Sequence, residues 1–206
     1  MRLYRANFST NVERVALALA HKGIAVESRY IDKADRSEVE RVSGQGLVPV
    51  LVDGDTIVTD SLRIMVYIED LLPTAPPLFP RDDARYAEMM IFLEWFDRVW
   101  KIAPNRIAAE LESEQPDHMV IIGQGRQMQG ALEGFEALLA GRKFLMGSEL
   151  SAADCAVFPF VKYALKRDDV DAEPFHLLLE EYQQLDESEH MRLRSWIKRM
   201  DDLPRA

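Results

Sequence analysis

Met1 and Leu3 alternate with Arg2 and Arg5, the two-residue period of a short strand with one buried face. After the polar stretch Ala6 to Asn11, apolar residues Val12, Val15, Ala16, Leu19 and Ala20 recur at three- and four-residue steps and predict a helix. Ser9, Thr10 and Asn11 all suit its N-cap, Glu13 falls in the first turn where the helix dipole favours an acid, and His21-Lys22-Gly23 closes it with cations and a glycine. Ile24 to Ile31 alternates again and predicts a second strand, and Asp32 to Val42 is charged and weakly helical. Gly46 to Val52 is an apolar strand run interrupted by Pro49. A proline cannot donate to a sheet ladder, so it marks an edge, a strand start or a special turn, a cis bond among them. Asp53-Gly54 is a hairpin signal leading to the strand Asp55–Thr59, and Asp60-Ser61 opens an amphipathic helix that stops before Pro73. The order β-α-β-α-β-β-α predicts a small mixed sheet with helices on its faces.

Four prolines between Pro73 and Pro80 leave no room for a helix or strand and predict a stiff linker. Beyond it the period is helical throughout. Asp83 to Leu111 is rich in aromatic residues, and Pro104 is expected to kink or break it. His118 to Leu139 carries Gly123, Gly125, Gly130 and Gly134; each costs about 1 kcal/mol against alanine in a helix, so close packing is expected there. Ser151 to Leu165, 174–185 and 188–200 complete the helical set.

The chain has 206 residues, 48% of them hydrophobic, enough for a sizeable core in one large domain or two small ones. Its net charge of −10 opposes a general nucleic-acid footprint and adsorption to anionic membranes. A lone cysteine, Cys155, excludes an intrachain disulfide and a multi-cysteine metal site, and is expected to be an inert core thiol. The four histidines show no metal spacing and are expected at the surface. No window approaches a membrane span and the N-terminus lacks the apolar segment of a signal peptide, so a cytoplasmic protein is expected.

Val48-Pro49 before the hairpin, Asp60-Ser61 after it, Phe144-Leu145-Met146-Gly147 and the helix start Ser151-Ala152-Ala153-Asp154 follow one another in an order that resembles the cytosolic glutathione transferase superfamily over nearly the whole chain. Ser9, with Arg14-Val15, Ala16-Leu17-Ala18-Leu19 and Lys22-Gly23, resembles the serine-type (tau and zeta) members. The resemblance implies an α/β thioredoxin-like glutathione-binding domain over 1–75, a proline-rich linker over 76–84 and an all-α domain over 85–206. It also implies a cis bond at Pro49 and a homodimer.

The implied chemistry needs a thiolate, because the thiol is a poor nucleophile near neutral pH. Ser9 at a helix N-terminus would stabilise it by a hydrogen bond, without itself becoming a nucleophile. Val48 beside Pro49 would pair with the cysteinyl backbone of glutathione, and Asp60 and Ser61 would hold its γ-glutamyl ammonium and carboxylate. Lys33 and Gln45 are candidate contacts for the glycyl carboxylate, and Phe8, Trp95, Trp100, Pro104 and Asn105 for the acceptor pocket. Some have a plainer reading: Ser9 and Asp60-Ser61 as helix caps, Trp95 and Trp100 as core. Glutathione is the expected co-substrate, its thiolate conjugated or transiently added to a small electrophilic substrate, and no metal, nucleic acid or membrane is called for. Asp60 stands where the family has Glu or Gln, Thr10-Asn11 replaces its usual residues after the catalytic position, and Leu47 replaces the lysine common before Val-Pro. Two alternatives therefore stay open: a non-catalytic interaction protein resembling the bacterial stringent-starvation proteins, and a transferase using another low-molecular-weight thiol.

Overall fold

A computed structural model describes residues 1–7, 9–73, 76–166 and 173–206. Contacts divide it into two units, Met1–Pro80 with Leu203–Ala206, and Arg81–Asp202. The expected helical domain ran to 206, but the last four residues return to the first unit. Ala206 N–H donates to Ala16 O (3.1 Å), Arg5 donates to Ala206 O (2.8 Å), and Arg205 pairs with Glu13 (3.0 Å).

The first unit runs β1 (Arg2–Arg5), α1 (Thr10–Lys22), β2 (Glu27–Tyr30), α2 (Ser37–Ser43), β3 (Val50–Asp53), β4 (Thr56–Thr59), α3 (Ser61–Leu71). The sheet order is β2-β1-β3-β4, with β1 and β2 parallel and the other neighbours antiparallel. Leu3 of β1 and Leu51 of β3 pair at the buried centre. The second strand is shorter than Ile24–Ile31. All four residues of β2 are exposed, because it is an edge strand carried by β1 alone, and its charges pair with neighbours, Glu27 with Arg2 and Arg29 with Glu38. Gly23 closes α1 at φ 67°, a left-handed conformation glycine adopts freely. Lys22 is buried and binds Glu69 (2.9 Å) and the carbonyl of Leu72; Glu69 also accepts from Leu78 N–H (2.9 Å). One carboxylate thus ties α1, α3 and the proline-rich stretch together, and Leu78 and Phe79 are buried.

The second unit comprises α4 (Asp83–Trp95), a π-helical turn (Phe96–Trp100), α5 (Ile102–Leu111), α6 (His118–Leu138), α7 (Ala152–Val161) with a 3₁₀ turn (Lys162–Ala164), α8 (Pro174–Glu181) and α9 (Met191–Asp201). The interruption expected at Pro104 lies at Phe96–Trp100 instead. Pro104 occupies the first turn of α5, where its missing N–H leaves no bond unmade. Of the four glycines in α6 only Gly125 is closely approached: a Cβ there would sit 2.5 Å from Tyr182 Cδ1, while Gly123, Gly130 and Gly134 face open space.

All ten residues of α7 are buried, Cys155 among them. Asp154 accepts from Leu145 N–H (2.8 Å), Ser151 N–H (3.0 Å), Ser151 Oγ (2.7 Å) and Trp196 Nε1 (2.9 Å). Burial pushes its carboxyl above the usual aspartate value, and the four donors pull against that. Glu136 on α6 accepts from the N–H groups of Arg192 (3.2 Å) and Leu193 (2.7 Å) and from Arg192 Nε (2.7 Å), so it caps α9 from another helix. His176 and His190, expected at the surface, are buried. His176 stacks on Tyr163 with ring centres 4.8 Å apart, and His190 Nδ1 accepts from Asp186 N–H.

Candidate functional site

Sheet register brings three separate segments of the first unit to one end. Tyr4 pairs with Val50 and Val50 with Thr59, so these three share a rung. The residues just beyond that rung are Arg5 and Ala6 leading towards Ser9, Pro49 preceding Val50, and Asp60 following Thr59. The loop entering α1, the Val48-Pro49 pair and the start of α3 therefore lie at one end of the sheet.

Ser9 is the N-cap of α1, with extended backbone (φ −79°, ψ 116°); its Oγ accepts from Val12 N–H at 3.4 Å and its carbonyl from Glu13 N–H at 2.9 Å. The cap uses only a lone pair of the hydroxyl. Its O–H hydrogen can still be donated to an anion, so capping and thiolate binding are compatible. Both act where the positive end of the α1 dipole is strongest.

The Val48-Pro49 peptide is cis. Val48 is half-buried, and its backbone N–H and C=O have no partner among the described residues. It thus offers one donor and one acceptor of an unpaired strand edge, the arrangement to which an extended peptide adds.

Asp60 has a positive φ (φ 73°, ψ 129°), uncommon for a residue other than glycine. Its Oδ1 caps α3 by accepting from Leu62 N–H (3.0 Å) and Arg63 N–H (3.1 Å), and the residue is exposed, so Oδ2 remains for a cation. Ser61 is buried and its Oγ accepts from Arg14 Nη1 at 3.2 Å. Arg14 is 1% exposed and sits on α1, so one guanidinium links the helix that begins at Ser9 to the helix that begins at Ser61. In the sequence Arg14 stands out only as part of the run Arg14-Val15-Ala16-Leu17. The signal for more was an arginine set among Val12, Val15 and Ala18 on the apolar side of the helix.

Gln45 was expected to face a ligand carboxylate; its amide is turned onto its own loop. Its Oε1 accepts from Leu47 N–H (2.5 Å) and its Nε2 donates to Leu47 O (2.9 Å) and Ser43 Oγ (3.3 Å). The two-residue spacing lets the side-chain amide pair with a backbone N–H and C=O at once. Lys33 is exposed, and its carbonyl accepts from Arg36 Nε (3.3 Å). In the helical unit Trp100 and Pro104 are buried, Trp100 stacking on Phe96 with ring centres 4.6 Å apart, whereas Trp95 is 38% exposed and Asn105 is exposed. Phe8 lies outside the described residues.

Comparison with known proteins returned two family profiles, "Glutathione S-transferase, N-terminal domain" over residues 3–76 and "Glutathione S-transferase, C-terminal domain" over residues 83–199. A glutathione S-transferase Z1 of Arabidopsis thaliana is 30% identical over 195 residues, covering 91% of this chain and 87% of that protein. A stringent starvation protein A homolog of Pasteurella multocida is 24% identical over 166 residues, covering 78% and 73% respectively. Among solved structures, a tau class glutathione S-transferase from mango superposes with a TM-score of 0.80 at 20% identity, covering 98% of this chain and 88% of that one.

Proposed function

The chain belongs to the glutathione S-transferase family and is a transferase, and from that premise we propose that it binds glutathione along the Val48 edge and holds its sulfur as a thiolate against Ser9. The tripeptide is laid as an added strand. Its cysteinyl N–H and C=O pair with Val48 C=O and N–H, its γ-glutamyl ammonium meets Asp60 Oδ2, and its carboxylate meets the start of α3 at Ser61. The thiolate attacks an electrophilic carbon of a small acceptor. A C–S bond forms, the leaving group departs with the bonding pair, and the thiol proton has already gone to solvent. The observation that carries this reading is the convergence of Ser9, Val48 and Asp60-Ser61 beyond the Tyr4–Val50–Thr59 rung. Detoxification in the cytoplasm by a pair of identical chains is part of the proposal and rests on family membership.

The test is retention on immobilised glutathione, with conjugation of chlorodinitrobenzene by the native chain and by Ser9→Ala. Native turnover that falls about 10- to 100-fold in Ser9→Ala supports the reading, since a hydrogen bond to a charged group contributes about 1.5–3 kcal/mol. Absence of both retention and turnover sinks it. The similarity to a stringent starvation protein keeps a second reading in play, a binding role without turnover, which would show as a specific macromolecular partner and no conjugation.

A further inference from the structure

We propose that the site recognises only the γ-glutamyl-cysteinyl part of its thiol, so that γ-glutamylcysteine serves nearly as well as glutathione. The inference rests on the binding mode just described. A peptide that pairs with Val48 and reaches Asp60 with one end sends its other end away from α3, over the turn Gln45-Gly46-Leu47. That turn is built against a carboxylate. Both heteroatoms of the Gln45 amide are engaged with the backbone of Leu47. The Leu47 side chain is apolar and 76% exposed, so it offers the ligand no hydrogen bond. Glu40 Oε1 lies 3.0 Å from where a Cβ on Gly46 would be, which sets an acid beside the turn and opposes a glycyl carboxylate. Arg36 also packs its Cβ against Gly46 and donates its Nε to the carbonyl of Lys33; whether its Nη groups reach the ligand is what Arg36→Ala reads. By contrast, every group assigned to the other two residues of the ligand survives removal of glycine. The cysteinyl carbonyl becomes a carboxylate, an equal or better acceptor for Val48 N–H.

The experiment is steady-state conjugation of chlorodinitrobenzene by the full chain with glutathione and with γ-glutamylcysteine. The expected kcat/KM values agree within about tenfold, the discrimination of roughly one unmade hydrogen bond. A larger preference for glutathione overturns the inference and leaves the binding mode standing. Turnover with neither thiol removes the binding mode itself, and the inference with it. Leu47→Lys supplies the cation: it is expected to raise kcat/KM for glutathione about fivefold through an exposed ion pair and to leave γ-glutamylcysteine unchanged. An equal effect on both thiols, or a loss above tenfold confined to glutathione in Arg36→Ala, overturns the inference.

Discussion

At the scale of single residues, Ser9 carries two roles. Ser9 caps α1 and is assigned the thiolate. Removing its hydroxyl is expected to raise the apparent pKa of the bound thiol, seen in the pH profile of kcat/KM, by about 1–2 units, because each unit corresponds to 1.36 kcal/mol of lost anion stabilisation. The same change is expected to lower stability by about 1 kcal/mol in urea, the usual effect of losing a helix cap. Arg14 acts through Ser61 rather than on the ligand. Arg14→Met keeps the buried stem and removes the guanidinium, so KM for glutathione should rise several-fold while kcat holds; a fall in kcat alone would contradict this positioning role. Asp154 is a structural hub. Asp154→Ala strands three N–H donors from Leu145, Ser151 and Trp196 and is expected to cost about 3–5 kcal/mol or abolish folding, with Asp154→Asn milder because it keeps one acceptor. The caps at Ser9 and Asp60, the Val48-Pro49 pair and the Ser151–Asp154 box are local signals, read within four residues, whereas the ligand roles assigned to the first three rest on the order of motifs along the whole chain. The Arg14–Ser61 bond spans 47 positions and leaves no local trace; Gln45 lies two residues from Leu47, but a flexible glutamine amide has several partners within reach and the sequence does not choose among them.

At the scale of elements, the hydrophobic period found every strand and helix of the first unit and misplaced only boundaries. The shortened β2 shows why: alternation along Ile24–Ile31 signals an extended chain, but the number of neighbours decides how much of it pairs, and this strand has one. Pro104 misled for a different reason. The rule that proline breaks a helix holds in the interior, and the break that makes Pro104 a first-turn residue is set upstream, at the Phe96–Trp100 stack, by packing. The glycines of α6 give the sharpest test at this scale. Gly125→Ala would drive a methyl group into the Tyr182 ring and is expected to destabilise the chain by about 1–3 kcal/mol. Gly130→Ala and Gly134→Ala meet open space and should stabilise it by up to about 1 kcal/mol, the intrinsic helix preference. Urea midpoints of the three variants measure both signs.

At the scale of the whole molecule, Glu136 adds an acid-sensitive contribution to stability. Burial alone would raise its carboxyl, but the N–H groups of Leu193 and Arg192 and the Arg192 side chain outweigh it and hold the pKa below the ordinary 4.5. A carboxyl lowered on folding contributes stability that is present above its unfolded value and lost as pH falls through its folded one. Thermal midpoints should therefore drop as pH is taken below about 4.5, and Glu136→Gln, less stable at neutral pH, should show a shallower drop. The return of residues 203–206 to the first unit was not legible, because nothing in a four-residue tail names its partner. It has a consequence for how the chain is made. Glu13 and Arg205 lie 192 positions apart. Joining them through an unfolded intervening segment would cost about 5 kcal/mol of chain entropy, so the junction waits for the helices between to fold. On a ribosome, Arg205 follows Glu13 by 192 positions, so the first unit is completed only after the helical unit has been made.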